Sequence, residues 1–512
     1  MQDRRFTALL LTIVLALMAF AAPTLLVTGC AAPKSLTPDV VQPPPPPPGH
    51  QAWNPLIASD PDGRLYITFY SGPGGHQRGL SFTRSLDRGT TWLADPIVLE
   101  PVTRSGTRIG FHRLERDGRG NVYVTWSLEV PVEMGKWRTR EIRRRRSSDY
   151  GATWTLPATI WRSGGKQLFP TARTGIDGEL SLVWTQDQGG AEDLFYSRTV
   201  QGGLAWWPKP IRVNTAKDAD TGPARRGKLA RQAAWPFLTS DERGQLFLAW
   251  DENRNGVLPD IFFSRSVDGG VTWLEGGIRL NTAPSGKWTA RTPFLATDNK
   301  GGVYAIWGDS RHKAEDIYFN RSLDHGATWL NEDIRLTPQR SSDFGATTLG
   351  PLLYADREGR LYVHWREGWE APGSIFFTRS LDRGATWLLR PRRLDHHGPE
   401  AVSNGARLAY DEAGHLSVTW LHTEGKNSTI LFNRSDDFGD TWLPRPMRLD
   451  SDPDTKDVAR KQGPRLPRIT ADGLGTAYVV WSNDRDGKYG IYLNRSTNHG
   501  VTWLQREIRV TR

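Results

Sequence analysis

An octapeptide that closes on tryptophan recurs along this chain of 512 residues and constrains its fold more than any other feature. Its pattern is Ser-x-Asp-x-Gly-x-Thr-Trp, and residues 85–92 match every position. Five further good copies lie at 147–154, 266–273, 322–329, 380–387 and 435–442. Two degenerate copies, at 199–206 and 496–503, carry Gln201 and Asn498 in place of the aspartate. A period of 50 to 70 residues between the closing tryptophans indicates one supersecondary unit per repeat.

Each unit also has an upstream half that predicts β-structure. In the fifth unit, β-rich segments at 293–298, 302–307, 316–322 and 334–336 are separated by turn residues. The residue that ends the second segment is Trp307, and the other units carry Phe69, Trp126, Trp184, Trp250, Trp365, Trp420 and Trp481 there. Eight units of four strands predict an all-β fold, an eight-bladed β-propeller with four-stranded antiparallel blades. A six-bladed propeller with two extra units is the alternative. In this assignment no blade combines strands from both ends of the chain, so the ring is expected to close by packing between blades.

The octapeptide resembles the Asp-box, or BNR repeat, of sialidases and related propellers, and the resemblance covers about residues 53–512. On this resemblance the box lies in the turn between the third and fourth strands of a blade. Its aspartate is expected to accept hydrogen bonds that hold the turn, and its tryptophan to pack back onto the blade. The box aspartates are therefore predicted to be structural and not catalytic: Asp87, Asp149, Asp268, Asp324, Asp382 and Asp437.

The N-terminus has the features of an export signal. Arg4 and Arg5 precede an apolar run, which ends in small residues before Cys30, the only cysteine of the chain. This ending resembles a bacterial lipobox, which implies cleavage after residue 29 and a lipid anchor on Cys30. Residues 30–50 contain six consecutive prolines and predict a stiff linker before a propeller domain at 51–512. The protein is thus expected on the cell envelope, with the outer membrane favoured over the inner. A transmembrane anchor is the alternative.

Three arginines suggest where a ligand binds. When the first strands are aligned on their recurrent proline position, Arg113, Arg407 and Arg468 occupy one equivalent position in units two, seven and eight. Three guanidinium groups near the axis are suited to bind a carboxylate, and the arrangement resembles the arginine triad of sialidases. In the alternative interpretation they form ion pairs with Glu115, Glu400 or Asp411.

Several tryptophans lie outside the repeat frame, in loops on the face away from the boxes. Trp235 and Trp288 are the predicted sugar-binding platforms among them; the others are Trp137, Trp161 and Trp369. We expect local ion pairs that close loops between Asp309 and Arg311, and between the aspartates and arginines that follow Trp250 and Trp481. Asp450 and the aspartates after it have a spacing compatible with Ca²⁺ but lack the glycine of an EF-hand loop. We therefore predict no metal site and no cofactor.

A catalytic set is not recognisable. The Arg-Ile-Pro motif of sialidases is missing from the first unit, and no Tyr–Glu pair can be assigned. Glycoside hydrolysis generally needs two carboxyl groups about 5–10 Å apart, and nothing selects a pair among the loop carboxylates Asp218, Glu252, Glu315, Glu367 and Glu424. The net charge of +10 is weak evidence for nucleic acid, because one arginine precedes each of the eight boxes.

Two classes of function follow. The first is a monomeric, envelope-anchored propeller that binds glycan or an envelope protein through its loop face without catalysis. The alternative is an exo-sialidase-like glycoside hydrolase acting on acidic glycans. A scaffold for assembling other proteins is a third option.

Overall fold

The computed structural model describes residues 51–511, with gaps at 75–76, 102–106, 118, 132–136, 163–170, 176–178, 188–190, 201–204, 208, 216–231, 255–257, 313, 339–347, 369–372, 452–463 and 486. The predicted signal, Cys30 and the linker lie outside the described residues. The described chain is all-β and forms an eight-bladed propeller of four-stranded antiparallel blades, as predicted. Blades are numbered here in chain order.

The first strands of the blades surround the axis, and each second strand pairs with the first of its own blade. The first strands are Gln51–Ser59, Arg108–Arg116, Thr171–Thr174, Ala233–Ser240, Ala290–Thr297, Thr348–Ala355, Ala401–Tyr410 and Arg465–Ala471. The second strands are Leu65–Gly74, Val122–Pro131, Leu180–Asp187, Leu246–Glu252, Val303–His312, Leu361–Glu367, Leu416–Glu424 and Ala477–Asn483.

The third and fourth strands form the outer half of each blade. The third strands are Gln77–Ser85, Trp137–Ser147, Glu192–Val200, Asp260–Ser266, Ala314–Ser322, Ser374–Ser380, Asn427–Ser435 and Gly490–Ser496. The fourth strands are Ile97–Glu100, Ala158–Arg162, Ile211–Arg212, Ile278–Arg279, Ile334–Arg335, Arg392–Arg393, Met447–Arg448 and Ile508–Arg509. Blade three has one additional short strand, Ala205–Trp206, at its degenerate octapeptide.

The apolar cores lie between neighbouring blades. A second strand has a blade stacked on each of its faces, so its sequence is almost continuously apolar, and all seven residues of Leu246–Glu252 are buried. The recurrent tryptophans of these strands, such as Trp307, are among the most buried side chains. Each core cluster combines residues of two adjacent blades, which makes the stacking of blades the main apolar contribution to the fold.

The ring closes without strand exchange, as expected from the register. Leu65 and Ile67 of blade one pack against Val480 of blade eight in one buried cluster. Hydrogen bonds reinforce this junction: the Ala52 amide donates to the Tyr489 carbonyl at 2.7 Å, and the Ser59 hydroxyl donates to the Ala471 carbonyl at 2.9 Å. Within the described part of the chain, no helix is long and apolar enough to cross a membrane.

Candidate functional site

The octapeptide turns use their aspartates entirely for structure. Asp324 is representative: it accepts hydrogen bonds from the Ser322 hydroxyl at 2.7 Å, the Thr328 amide at 2.9 Å and the Thr328 hydroxyl at 2.6 Å. The Ser322 hydroxyl in turn accepts the Gly326 amide at 2.8 Å. The same contacts recur around Asp87, Asp149, Asp268, Asp382 and Asp437.

These hydrogen bonds also fix the charge of the carboxylates. Burial alone raises the pKa of Asp149, but hydrogen bonds from Thr153 and Ser147 outweigh it and lower the pKa to about 2. The pKa of Asp268 is about 2 for the same reasons. Permanently ionised carboxylates that are saturated with donors act as turn clamps and are not suited to proton transfer.

The tryptophan that closes the octapeptide does not pack only onto its own blade, and this part of the prediction was wrong. Its ring edge contacts an aromatic side chain in the third strand of the preceding blade, as in Phe263–Trp329 with ring centroids 4.8 Å apart. The same contact joins Phe82–Trp154, Tyr196–Trp273, Phe319–Trp387, Phe377–Trp442 and Phe432–Trp503. The turn lies at the blade junction, so the neighbouring blade offers the larger apolar surface.

Five of the arginines that precede the octapeptides donate hydrogen bonds to the next blade: Arg84, Arg265, Arg321, Arg379 and Arg495. Arg84 donates to the Tyr150 carbonyl at 2.6 Å, and Arg265 donates to the His325 carbonyl at 2.7 Å, in each case in the turn of the next blade. These charges therefore belong to the scaffold, as the repeat of one arginine per blade predicted.

The three predicted arginines occupy one level of a ring around the axis. Their partners in the second strand are Thr125 for Arg113, Thr419 for Arg407 and Val480 for Arg468, each one residue before the recurrent tryptophan. We call the set of equivalent first-strand residues the axial ring. In chain order it consists of Leu56, Arg113, Thr171, Phe237, Phe294, Leu352, Arg407 and Arg468.

The guanidinium groups of the axial ring lie close enough to affect each other's pKa. Burial and, to a smaller extent, the charges of Arg407 and Arg113 together lower the pKa of Arg468 to about 10. Burial, with a smaller contribution from Arg113, lowers the pKa of Arg407. Two of them donate to adjacent backbone: Arg407 to the Ala406 carbonyl at 2.6 Å, and Arg468 to the Pro467 carbonyl at 3.0 Å.

No carboxylate among the described residues forms an ion pair with Arg113, Arg407 or Arg468. The alternative that Asp411 neutralises one of them is excluded within that part of the chain, because Asp411 binds its own turn and His415. A cluster of like charges with no partner is electrostatically unfavourable until an anion binds. This arrangement is the main chemical feature of the axial ring.

Three further groups lie near the axial arginines, and sequence analysis missed them. His112 and His364 are buried, and burial together with nearby arginines lowers the pKa of each to about 3, so both are neutral. Burial raises the pKa of Tyr354, whose ring stacks on His364 with centroids 5.8 Å apart. The sequence carried a signal for His364, because three other second strands have threonine at the equivalent position.

The opposite side of the axial ring is aromatic. Phe237 and Phe294, on blades four and five, have ring centroids 5.1 Å apart. Two residues before Phe237 lies Trp235, which is 46% exposed and has a φ of 48° at the bulge of the first strand. Asn54, Thr292 and Leu466 have similar positive φ values at the equivalent bulges of other blades, so this conformation belongs to the repeat. The predicted platform Trp235 is thus exposed near the axial ring.

The second predicted platform, Trp288, lies in the loop before the first strand of blade five. It is half-buried, with the Lys287 ammonium 5.4 Å from its ring centroid. Trp161 is no platform, since it packs on Trp184 with ring centroids 5.8 Å apart in a core cluster. Trp369 and the side chain of Trp137 lie outside the described residues.

The expected local ion pairs are only partly present. Arg311 binds Asp309 as predicted, with Nη2–Oδ2 at 2.7 Å, and also reaches Asp333 at 2.7 Å. Arg254, however, pairs with Glu252 at 2.9 Å and not with Asp251.

Arg485 likewise pairs with Glu507 near the fourth strand of blade eight, and not with Asp484. Both carboxylates occupy repeat positions: Glu252 aligns with Asp309, and Glu507 aligns with Asp333, the second partner of Arg311.

Two of the five loop carboxylates have structural partners. Glu252 accepts the indole N–H of Trp250 at 2.8 Å, and Glu367 accepts that of Trp365 at 3.1 Å. Asp450 accepts the Ile430 amide at 2.6 Å, whereas the aspartates after it, Asp452, Asp454 and Asp457, lie outside the described residues. Glu424 ends the second strand of blade seven, whereas Asp218 lies outside the described residues.

Two carboxyl groups near blades four and five differ from the rest. Burial raises the pKa of Asp251 to about 7, although the Thr292 amide donates to it at 3.3 Å and Arg291 lies nearby. Burial also raises the pKa of Glu315, again beside Arg291. Shifted carboxyl groups of this kind are typical of sites where protons move, and they lie in the aromatic sector, away from the three axial arginines.

Comparison with known proteins gives structural likeness only. No protein-family model matches the chain, and no curated protein matches it. A polysaccharide lyase described as an ulvan lyase is 12% identical over 87% of this chain and 94% of its own, with a TM-score of 0.47. An α-L-arabinanase from Penicillium chrysogenum is 17% identical over 64% and 93%, with a TM-score of 0.38. A protein of unknown function from Dyadobacter fermentans is 16% identical over 65% and 94%, with a TM-score of 0.39.

Proposed function

We propose that this protein is an envelope-anchored propeller that binds an acidic glycan at the axial ring without catalysis. The observation that carries the proposal is the cluster of Arg113, Arg407 and Arg468, which has no carboxylate partner among the described residues. Guanidinium groups bind carboxylates with charge-assisted, bidentate hydrogen bonds. An anionic ligand would relieve the repulsion that lowers the pKa of Arg468.

The aromatic side of the ring favours a sugar as the body of that anion. Phe237 and Phe294 are half-buried against the cores between blades, and Trp235 exposes a flat apolar surface on the side opposite the arginines. A ligand with a carboxylate at one side and the C–H face of a pyranose at the other would contact both sectors. A site for a simple anion would not need the aromatic side chains, and a site for a neutral sugar would not need the arginines.

The lipid anchor on Cys30 and the location on the envelope, at the outer membrane, belong to the same proposal. They are supported by the basic, apolar and small-residue pattern of the N-terminus. A proline-rich linker would hold the propeller away from the membrane, where it meets glycans as a monomer.

The test is isothermal titration of the full chain, purified in mild detergent, with polygalacturonate as a carboxylated glycan and dextran as a neutral one. We expect polygalacturonate to bind and dextran not to bind. The R407Q/R468Q variant should weaken binding at least tenfold, about 1.4 kcal/mol. The matched control is R390Q, which removes an exposed arginine on the octapeptide face and should change nothing. Equal binding by both variants would refute the site.

A glycoside hydrolase of sialidase type is the second candidate, and Asp251 is the observation that favours it. A carboxyl group with a pKa of about 7 is suited to general acid–base catalysis near neutral pH. The test is release of the aryl group from a panel of aryl glycosides that includes a sialoside. Turnover that D251N abolishes would make the protein an enzyme, whereas glycan binding without turnover supports the non-catalytic function.

A further inference from the structure

We infer that the junction of blades seven and eight, on the octapeptide face, binds one divalent cation of the Zn²⁺ class through Asp411, His415 and His499. One ligand atom of each residue lies within 4.8 Å of those of the other two. The distance from Asp411 Oδ2 is 2.7 Å to His415 Nδ1 and 3.5 Å to His499 Nδ1. Two imidazoles and a carboxylate are a donor set that Zn²⁺ uses.

The two separations from Asp411 require only a small adjustment to hold a metal ion. With metal–ligand distances of about 2.0–2.2 Å, neighbouring ligand atoms of a tetrahedral site are about 3.3 Å apart. The His499–Asp411 separation already matches this value, and the His415–Asp411 hydrogen bond would open by roughly 0.6 Å. His415 would then carry its proton on Nε2.

The three side chains are held in place by the backbone around them. Asp411 Oδ1 accepts the His415 amide at 3.0 Å, which fixes both residues in the tight turn between the first two strands of blade seven. The His499 amide donates to the Gly475 carbonyl at 2.8 Å, and its ring lies over Gly475, where a Cβ atom would be 2.8 Å from His499 Nε2. A preorganised donor set loses little conformational freedom when it binds a cation.

There is also room for the ion. A cavity of about 20 Å³ is lined by Asp411, His415, Ser417, Thr476 and His499, and this volume suits one water-sized atom. The side chains of His415 and His499 are 29% and 37% exposed, so solvent can deliver the ion and supply the remaining ligand as water.

Equivalent positions at other blade junctions lack this donor set. Between blades one and two, Arg64 and Tyr150 occupy the positions of His415 and His499, with the guanidinium 4.3 Å from the ring centroid. Between blades six and seven the corresponding residues are Arg360 and Phe438, at 4.4 Å.

In blade five, His325 takes the place of His499 and lies 3.3 Å from Arg243, a cation that disfavours a second one. At the seventh junction, by contrast, no arginine takes either position; His415 and His499 stack with ring centroids 3.8 Å apart, and the rings would rotate out of this stack so that both nitrogen lone pairs point at one ion.

The experiment uses the full chain without a histidine tag, dialysed against a chelator. Titration with Zn²⁺ should show one equivalent bound, and Co²⁺ should produce the visible absorption of a low-coordinate Co²⁺ site. Mg²⁺ and Ca²⁺ should not compete, because they prefer all-oxygen sites.

Two variants are taken from other blades so that the fold is kept. H415Q introduces the residue of blade four and H499F that of blade seven, and each should weaken Zn²⁺ binding at least tenfold. H325F is the matched control and should leave binding unchanged. The inference is overturned if wild type binds no Zn²⁺, or if the H415Q/H499F variant, folded by circular dichroism, binds it as tightly as wild type.

Discussion

Phe237 and Phe294 face each other across the junction of blades four and five, with ring centroids 5.1 Å apart, on the side of the axial ring opposite Arg468. The ring is therefore divided into an aromatic sector and a cationic sector. Blades are nearly equivalent in their octapeptides and second strands, so this asymmetry does not arise from the repeat. It results from first-strand residues that stability alone would not select, such as Arg407 and Arg468, which have no carboxylate partner within the described ranges.

The first prediction concerns the conflict between binding and stability. R468Q removes a buried charge that the neighbouring guanidinium groups repel, so we expect it to raise the free energy of unfolding by about 1–3 kcal/mol. The same change should weaken the binding of polygalacturonate. Urea unfolding and titration calorimetry measure the two effects. A variant that loses both stability and binding would show that Arg468 is a structural residue.

The architecture could be predicted from sequence because the repeat supplies eight independent copies of the same information. The level of Arg113, Arg407 and Arg468 in the first strands was predictable for the same reason, since the proline position recurs. The His415–His499 contact was not, because it depends on how two different units stack. The partner of Arg485 was missed because Glu507 reaches it from beside the fourth strand, and local spacing suggested Asp484.

The second prediction is that Asp251 makes stability fall as the pH rises. Burial raises its pKa to about 7 from 3.8, so between these values the folded state binds more protons than the unfolded state. Its contribution is fully present below pH 3.8 and is lost as the pH passes through 7. We expect D251N to be more stable than wild type by a margin that grows from pH 5 to pH 8. The margin should reach up to about 4 kcal/mol in free energy of unfolding.

Urea midpoints at the two pH values test this prediction for Asp251. D309N is unsuitable as a control because Asp309 is in a buried ion pair. Asp62 is changed to asparagine instead, because its ion pair with Arg64 is at the surface and its side chain is 69% exposed. The prediction fails if D251N and D62N show the same difference from wild type at both pH values.

The third prediction concerns acid sensitivity. His112 and His364 are held neutral with pKa values of about 3, whereas the unfolded chain protonates them near 6.5. Between these values the unfolded state binds more protons, so stability falls as the pH falls from 6.5 towards 3.

H364T, which copies the threonine found at this level of blades one, two and seven, should reduce that slope, with up to about 4 kcal/mol removed over the full range. Denaturant midpoints at intervals between pH 7 and pH 4 measure it, and parallel curves for wild type and H364T would contradict the assignment.

The fourth prediction uses the natural variation among the octapeptides. Blade eight has Asn498, whose Oδ1 accepts the Ser496 hydroxyl and the Thr502 amide at 2.9 Å, and whose Nδ2 donates to the Thr502 hydroxyl at 2.9 Å. In blade five, D324N can reproduce all three contacts, whereas D324A leaves their donors without an acceptor. We expect D324A to cost about 1–3 kcal/mol in free energy of unfolding and D324N clearly less. Urea unfolding at pH 7 distinguishes them, and equal losses in both variants would mean that the carboxylate charge, and not the hydrogen-bond pattern, holds the turn.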